Sequence, residues 1–461
     1  PRVKRIFGLP PARAGGTLPG MNSHGEQAGA KYAATTTRMA VRVVAVLAMW
    51  PLLAAAQDPS GSDRDQTIVI TASRNEQTRF EAMRSVEVIE REQMVESQAR
   101  TVPEAIEEAP GVFMQQTNAG AGAPFIRGLV GPRNLLLVDG IRFTTSTHRT
   151  GPNQYLALWS PFVLDRVEIL RGPSSVLYGN GAMGGVVHAV TAVPGARPGP
   201  WQTDARARAG FSSADRGQSI SIDGGANGHD LAAVAGLSLD RFGILRAGGG
   251  MEQPLSDHHA SYWHAKVRWE PSAAWSLSGT YLGAALLGAG RADQAGRGDL
   301  RIYDNFDHLA YLTLRHDGAV LRRVRVNLSY QRLVEEVDRF DCALRQDGTV
   351  AEPDSCLALD PGQIGRERRY LDTVDVLGLD LAAGADLWSG RLRLNAGLDL
   401  YHDRVGSSLE QAYAEEGFVP RPQERGNFTD GSTYLSLGAY LHAGATLLDL
   451  GAETGALRVV G

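Results

Sequence analysis

Four segments beyond residue 200 alternate apolar and polar side chains with a period of two. Trp263–Glu270 places tryptophan, alanine and valine on one face and histidine, lysine, arginine and glutamate on the other. Arg323–Tyr330 and Arg391–Leu400 repeat the pattern, and Leu435–Thr446 follows it more loosely. Because successive side chains of a β-strand point to opposite faces, this period predicts strands with one apolar and one polar face.

The connections between these strands alternate in length. The short turns lie at 271–274, 317–318 and 388–390. The long polar loops lie near 241–261, 283–305, 334–368 and 403–431. Transmembrane β-barrels show this asymmetry, whereas a soluble sandwich or propeller rarely requires it. The mean hydropathy of −0.19 is compatible with a barrel, because only alternate residues of its strands face lipid.

Several classes of function lack support in the sequence. A net charge of −5 and a pI near 6.2 do not indicate a nucleic-acid partner. No nucleophile–base pattern and no metal signature such as His-Glu-x-x-His occurs, so we expect neither catalysis nor a resident cofactor. His258 and His259 have no spaced partner, which favours a solvated pair over a metal site.

A targeting segment is predicted at residues 39–56. It has a basic start, an apolar core and a small-residue end, which is the pattern of a secretory signal peptide. Its uncharged core is shorter than the roughly 20 residues of a spanning helix. Residues 1–38 show no periodicity and are left unassigned.

The glycine-rich stretch Val167–Thr191 contains a Gly-x-Gly-x-x-Gly match at residues 179–184. A dinucleotide site needs these glycines after a strand and at the start of a helix. Here a helix start with a proline, 173–178, precedes them, and a β-branched run, 185–191, follows. This reversed order disfavours a secreted nucleotide-binding enzyme and favours a close-packed core.

Residues 79–193 are predicted to form one α/β unit. Strands are predicted at 85–89 and 111–115, and helical spacing runs from 92 to 109, with Pro103 opening a second helix. A loop is predicted at 117–124. A strand and a hairpin with an Asp139–Gly140 turn follow.

This order of elements resembles the plug domain of TonB-dependent outer-membrane receptors. The resemblance rests on Ile126-Arg-Gly128, on Leu137-Val-Asp-Gly140 with the following Arg142, and on Val167–Gly185. It implies an α+β plug domain followed by an antiparallel transmembrane β-barrel of about twenty-two strands. About eleven strands are predicted within residues 201–461, so about half of that barrel is present. An open half-barrel leaves an unsatisfied edge, and we therefore expect this piece alone not to support uptake.

The leader at residues 57–78 is predicted to contain a TonB box. A polar, disordered stretch precedes a short β-type run, and such a strand suits edge pairing with a strand of another protein. By resemblance the partner is the TonB energy-transducing complex. The alternative is the first strand of a domain. The box residues are Thr67, Ile68, Val69, Ile70, Thr71 and Ala72.

Two sets of plug residues are candidates for function. The loop at 144–155 supplies candidate ligand-binding residues, because it is rich in donors and carries one cation and one aromatic ring that suit a planar anionic chelate. The alternative is a solvated loop. The candidates are His148, Arg149, Asn153, Gln154 and Tyr155. By resemblance, charged residues at plug strand ends lock the plug to the barrel wall; these are Arg127, Arg142, Glu168 and Arg171.

The two cysteines, Cys342 and Cys356, lie in the longest predicted loop, where a disulfide would limit its flexibility. Two thiols with no histidine between them do not make a metal site.

The resemblance predicts an active transport receptor in the Gram-negative outer membrane, surrounded by its lipid. The expected ligand is an iron–siderophore chelate; haem or haemoglobin is the second candidate, and cobalamin or a glycan follows. A TonB-linked signal transducer is disfavoured, because it needs a folded domain between the signal peptide and the box.

Overall fold

The computed structural model describes most of the chain beyond residue 83 and a few residues before it. The described residues are 68–69, 74, 77–78, 84–192, 199–295, 297–318, 321–343, 350, 356–388, 391–449 and 456–460. They all belong to one compact unit, Gly61–Gly461. The predicted upstream segment and signal peptide lie outside the described residues. So do four residues of the predicted box: Thr67, Ile70, Thr71 and Ala72.

The remaining box residues form half of a short ladder. Strand β1 (Ile68–Val69) pairs antiparallel with β2 (Gln77–Thr78). These two box residues therefore have a partner strand within the chain, and pairing with another protein would require β1 to leave β2.

Residues 84–192 form the N-terminal unit. Its strands are β3 (Val86–Glu90), β4 (Val112–Asn118), β5 (Ala121–Ile126), β6 (Asn134–Val138), β7 (Ile141–Arg142), β8 (Leu164–Arg171) and β9 (Gly185–Thr191). Its helices are α1 (Arg91–Glu96), α2 (Val102–Ile106) and α3 (Ser175–Tyr178). One mixed sheet has the order β3-β8-β9-β6-β7, in which β6 and β9 run parallel, and β4 and β5 make a separate hairpin.

Local signals explain several of these elements. The hydroxyl of Thr101 accepts a hydrogen bond from the backbone N–H of Glu104, and Pro103 occupies the first turn, so α2 begins where its sequence predicts. Asp139 and Gly140 both have positive φ, 48° and 87°, which closes the tight turn between β6 and β7.

The loop predicted at 117–124 is wrong, because β4 and β5 run through it and leave only Ala119 and Gly120 between them. Ala121 and Ala123 are fully buried. A Cβ on Gly122 would lie 2.8 Å from the Pro103 ring. Small residues let this strand pack closely against α2, and a run of them is easily mistaken for a loop.

The glycine-rich stretch is close-packed, as its sequence predicts. A Cβ on Gly184 would lie 2.8 Å from the carbonyl oxygen of Ile126 and would overlap the side-chain oxygen of Asn134. On Gly185 it would lie 2.5 Å from the carbonyl oxygen of Leu170. These glycines allow β9 to lie against its neighbours.

Beyond residue 200 the described chain forms one large antiparallel sheet in sequence order, with the short β19 paired to β18. Its strands are β10 (Gln202–Ser212), β11 (Gly217–Gly228), β12 (Leu231–Phe242), β13 (His258–Ser272), β14 (Trp275–Gly290), β15 (Asp299–His316), β16 (Leu321–Cys342), β17 (Ile364–Leu387), β18 (Leu392–Tyr413), β19 (Arg421–Pro422), β20 (Thr433–Asp449) and β21 (Ala456–Val460). A one-turn helix, α4 (Ala292–Ala295), lies between β14 and β15.

The alternating segments are confirmed as strands with two different faces. The inner face, which contacts the N-terminal unit, buries polar side chains such as Asn327 and Lys266. The outer face exposes large apolar ones: Leu328 is 56% exposed, whereas the adjacent Asn327 is 0% exposed. Among the residues that the structure describes, none belongs to a helix long and apolar enough to span a membrane.

The strands are longer than the polar composition of their ends suggests. The predicted loop 334–368 shrinks to 343–363, because β16 has 22 residues and β17 has 24. Crossing a bilayer takes only about 9–11 strand residues. Ion pairs between strands, such as Arg339 with Asp299, allow the ladder to continue through charged sequence.

Cys342 and Cys356 form a disulfide, with their Cα atoms 5.8 Å apart. Both sulfurs lie in a small apolar cluster with Leu300, Phe340 and Ile364. The disulfide ties Cys356, within the 343–363 connection, to Cys342 at the end of β16.

Candidate functional site: the contact between the N-terminal unit and the sheet

One buried, charged contact of the N-terminal unit with the sheet centres on Asp139. One carboxylate oxygen accepts from the backbone N–H of Thr191 at 2.8 Å. The other accepts from the Thr191 hydroxyl at 2.7 Å, from Nζ of Lys266 at 2.9 Å and from the Tyr311 hydroxyl. Lys266 lies on β13 and Tyr311 on β15, so a turn of the N-terminal unit is fastened to two strands of the large sheet. We call this sheet, β10 to β21, the wall.

The Asp139 carboxyl stays ionised in this position. Burial alone would raise its pKa, but the nearby Lys266 charge and the hydrogen bonds from Thr191 and Tyr311 hold the pKa well below its ordinary value. The sequence offered one overlooked signal for the pair, since Lys266 is the only lysine after Lys31 and it stands on the polar face of a predicted strand.

A second contact uses one of the predicted ligand-binding residues, Arg149. Its guanidinium donates to Gln154 Oε1 and to Glu335 Oε2 on β16, each at 2.7 Å. It also lies 4.7 Å from the centre of the Tyr303 ring on β15 and 5.7 Å from that of Tyr155. Arg149 therefore binds the wall in this structure.

The five predicted ligand-binding residues lie together, but three are buried. Asn153 accepts from the backbone N–H of Tyr155 and donates to the carbonyl oxygens of Arg149 and Gly151, which fixes the loop. Asn153, Gln154 and Tyr155 are at most 3% exposed. The His148 ring packs 4.4 Å from that of Tyr155. A ligand-binding role for these residues stays a prediction; their observed contacts order the loop.

The lowered pKa of His148 predicts that the stability of the folded protein depends on pH. Burial, helped by the Arg149 charge, lowers its pKa to about 3, so the folded protein holds it neutral. An unfolded histidine titrates near pH 6.5, and between these values the unfolded chain binds more protons. This contribution is full above about pH 6.5 and is lost as the pH falls toward about 3. Thermal unfolding should therefore show a smaller loss of stability over this range in His148→Gln than in the wild type. Identical slopes would contradict this assignment.

The four predicted lock residues divide between two surroundings. Arg142 reaches the sheet: its backbone N–H donates to the Tyr401 hydroxyl on β18 at 3.0 Å, and its guanidinium lies 5.7 Å from the same ring. Glu168 is fully buried and accepts from Arg166 Nε at 2.9 Å. Tyr401 lies 259 residues from Arg142, so the sequence could not pair them in advance. Arg166 lies two residues from Glu168 on β8, within the N-terminal unit.

The described contacts of Arg171 and Arg127 are within the N-terminal unit. Arg171 donates to Ser85 Oγ at 2.6 Å and to the carbonyl oxygen of Pro110. Arg127 is exposed and lies beside Gly172. A locking role for Arg127, Arg142, Glu168 and Arg171 stays a prediction.

Sequence reasoning missed a contact made by Arg74, just beyond the predicted box. Its guanidinium pairs with Asp399 on β18 at 3.0 Å. It also lies 4.6 Å from the ring centre of Tyr178 and 4.8 Å from that of Tyr440. One residue of the leader thus holds the glycine-rich stretch and two strands of the wall together. Nothing in the local sequence distinguishes Arg74 from other arginines.

The described residues contain no group of three or more histidine, cysteine, aspartate or glutamate side chains that could hold a metal ion. The chemistry of this interface is that of a packed, ion-paired core inside an outwardly apolar sheet.

Comparisons with known proteins agree with this architecture. Residues 78–186 match the family described as TonB-dependent Receptor Plug Domain. The chain is similar to the vitamin B12 transporter BtuB of Vibrio cholerae, 36% identical over 129 residues, which is 27% of this chain and 20% of that protein. It is also similar to the hemin receptor of Yersinia pestis, 30% identical over 227 residues, which is 48% of this chain and 32% of that one.

Solved structures show the same fold. The copper transporter OprC aligns with a TM-score of 0.60 at 17% identity, covering 75% of this chain and 49% of its own. The ferripyoverdine receptor of the outer membrane of Pseudomonas aeruginosa aligns with a TM-score of 0.59 at 14% identity, covering 83% and 52%. The chain thus spans about half the length of these solved proteins, and less of the curated relatives.

The family match lies over the N-terminal unit, and the structural likeness extends through the large sheet. The predicted limits 79–193 and 201–461 stay predictions. Residues 78–186 of this chain match the TonB-dependent receptor plug domain, and the strands that follow share their fold with the copper transporter OprC and the ferripyoverdine receptor.

Proposed function

We propose that the chain is part of an outer-membrane receptor that imports a metal chelate with energy passed on by the TonB complex. The observation that supports this most is the large sheet, which is apolar outside and polar inside, with the plug ion-paired to its inner face. Such a wall suits lipid on one side and a gated passage on the other. The protein acts as a transporter and not as an enzyme.

Ferric chelates are the leading ligand class, and the ferripyoverdine receptor shares the fold. Haem is the second candidate, because the similarity to the hemin receptor covers 48% of this chain and so extends beyond the plug. The similarity to BtuB covers 27%. This shorter similarity supports a shared plug domain more than a shared ligand.

The coupling step is assigned to residues 67–72. Among the described residues, β1 pairs with β2 through a two-residue ladder, so a TonB strand could replace β2 at little cost. Arg74, just beyond the box, pairs with Asp399 of the large sheet and lies over the Tyr178 ring of the plug.

Deleting residues 67–72 from the complete protein tests this assignment. We expect energy-dependent uptake to fall to the level of cells without TonB, whereas ligand affinity changes by less than about twofold, because the deletion leaves the ligand-facing side intact. Cells are assayed for uptake of radioactive iron and outer membranes for binding. Deletion of residues 60–65, in the polar leader, is the control of equal length. Unchanged uptake after the first deletion would refute the coupling assignment.

A further inference from the structure

A group of charged side chains covers the inner face of β15, β16 and β17 beyond the plug. Four are arginines and two are aspartates, and we call them the arginine belt: Asp299, Arg301, Arg339, Asp341, Arg366 and Arg368. The strand register sets Arg301 opposite Arg339, and Arg339 opposite Arg368. Residues 339 and 341 are an even number of positions from Glu335, which contacts the plug. They therefore share its inward orientation.

The two carboxylates do not neutralise the four guanidiniums. Asp299 pairs with Arg301 at 2.6 Å and with Arg339 at 2.7 Å. Asp341 pairs with Arg366 at 2.6 Å and with Arg368 at 2.7 Å. Asp341 also lies 3.6 Å from Arg339. Asp299 is thus shared by two arginines and Asp341 by three, and the arginines stay charged at any physiological pH. The belt carries two positive charges in excess of its carboxylates.

Nearby acidic residues do not remove this excess. Glu335 is used by Arg149 of the plug. Glu336 and Asp338 alternate with the belt residues of β16, lie on the outer face and pair there with Arg369. Within the described part of this wall, the belt's positive charge is left to face the interior.

The belt also has unused donors and some access. Nε of Arg368 is buried without a hydrogen-bond partner among the described residues. Arg301 and Arg339 are about a quarter exposed at their side chains and Arg366 is 38% exposed. A guanidinium has five N–H donors, so one ion pair leaves several of them available.

The belt lies where a ligand from outside would arrive. It is at the ends of the strands that carry the long connections, opposite the ends at which β15 is joined to β16 and β17 to β18 by short connections. Tyr303, two residues from Arg301, stacks with Arg149 of the plug. The wall is therefore continuous from the belt down to the plug loop at 144–155.

We propose that the arginine belt binds a ligand with two or more negative charges, of the class of ferric catecholate or carboxylate chelates and haem propionates. It does not hold an uncharged corrinoid. Planar guanidiniums bind paired oxygens in a bidentate manner, and an excess of positive charge in a partly buried site favours an anion. This inference rests on the proposed function, because it assigns the ligand class to the same receptor. It places the selectivity on the sheet and not on His148 and Arg149.

Binding to the complete protein in detergent tests the proposal. The probes are ferric tris-catecholate, ferric citrate, haemin and cyanocobalamin, measured by tryptophan quenching at low and high salt. Arg339→Gln/Arg368→Gln is compared with a matched control on the outer face of the same strands, Arg332→Gln/Arg369→Gln. We expect the belt variant to lose at least about tenfold in affinity for the anionic probe that binds best, and the control less than about twofold. Salt should weaken the wild type more than the belt variant.

The variant Arg339→Lys/Arg368→Lys distinguishes a loss of ligand contacts from misfolding. It keeps the charge but not the bidentate geometry, and we expect an affinity between those of the wild type and the glutamine variant. Equal affinity of wild type and glutamine variant for every anionic probe would overturn the proposal, as would tight binding of cyanocobalamin in place of the anions. The proposed transport function is tested separately. If the cells show no TonB-dependent uptake while ligand binding still depends on the belt, transport is refuted and the belt proposal stands.

Discussion

Replacing Asp139 with alanine is expected to lower the free energy of unfolding of the plug by about 3–5 kcal/mol, because it leaves Lys266 buried without its carboxylate. The Lys266 side chain is 6% exposed and that of Asp139 15% exposed, so water screens this pair little. The variant also removes the hydrogen bonds to Thr191 and Tyr311. The measurement is urea unfolding of the complete protein in detergent, followed by plug fluorescence.

The matched control is Glu252→Ala. Glu252 pairs with Arg246 at 3.2 Å, but their side chains are 53% and 46% exposed. Such a surface pair contributes at most about 1 kcal/mol. If Asp139→Ala were no more destabilising than Glu252→Ala, the anchor assigned to Asp139 would be wrong. The double variant Asp139→Ala/Lys266→Met should recover part of the loss, because it removes the unpaired charge.

The second large effect is expected from Gly184→Ala. The added Cβ would lie 2.8 Å from the carbonyl oxygen of Ile126 and 2.9 Å from Cβ of Leu129, and it would overlap the side chain of Asn134. Asn134 is buried and donates to the carbonyl oxygens of Pro124 and Leu129, so it has no room to withdraw. Overpacking of this kind costs about 1–3 kcal/mol, here with a broken hydrogen bond in addition.

Thermal unfolding compares this variant with Gly248→Ala. A Cβ on Gly248 meets nothing within 4 Å, so the exchange should change the stability by less than about 0.5 kcal/mol. Equal melting temperatures for the two variants would mean that the glycine-rich stretch is not close-packed.

The elements of the plug could be predicted from the sequence because their signals are local. Pro103 marks the first turn of α2, Asp139–Gly140 makes a tight turn, and the β-branched run at 185–191 coincides with β9. Alternation predicted the two faces of the sheet for the same reason, since period two depends only on neighbouring residues.

The contacts that fasten the plug could not be predicted in the same way. Asp139 and Lys266 are 127 residues apart, and Arg74 and Asp399 are 325 apart. Nothing local tells which arginine meets which carboxylate. The loop at 144–155 has a related difficulty, because its polar residues suggested exposure, whereas the fold uses Asn153 and Gln154 as buried donors and acceptors.

Strand ends were misjudged for an electrostatic reason. Arg339, Asp341 and Arg366 indicate a solvated loop when each is considered alone. Paired across β15, β16 and β17, they continue the ladder and form the arginine belt. The residues to which we assign ligand selectivity are therefore ones whose charge favoured a loop over a strand in the sequence.

Uptake of radioactive iron, as ferric tris-catecholate, into cells that carry the complete protein tests both the coupling to TonB and the role of the arginine belt. We expect accumulation that requires TonB, residues 67–72 and the arginine belt together. Accumulation that persists without TonB would show that the protein is not a TonB-coupled receptor.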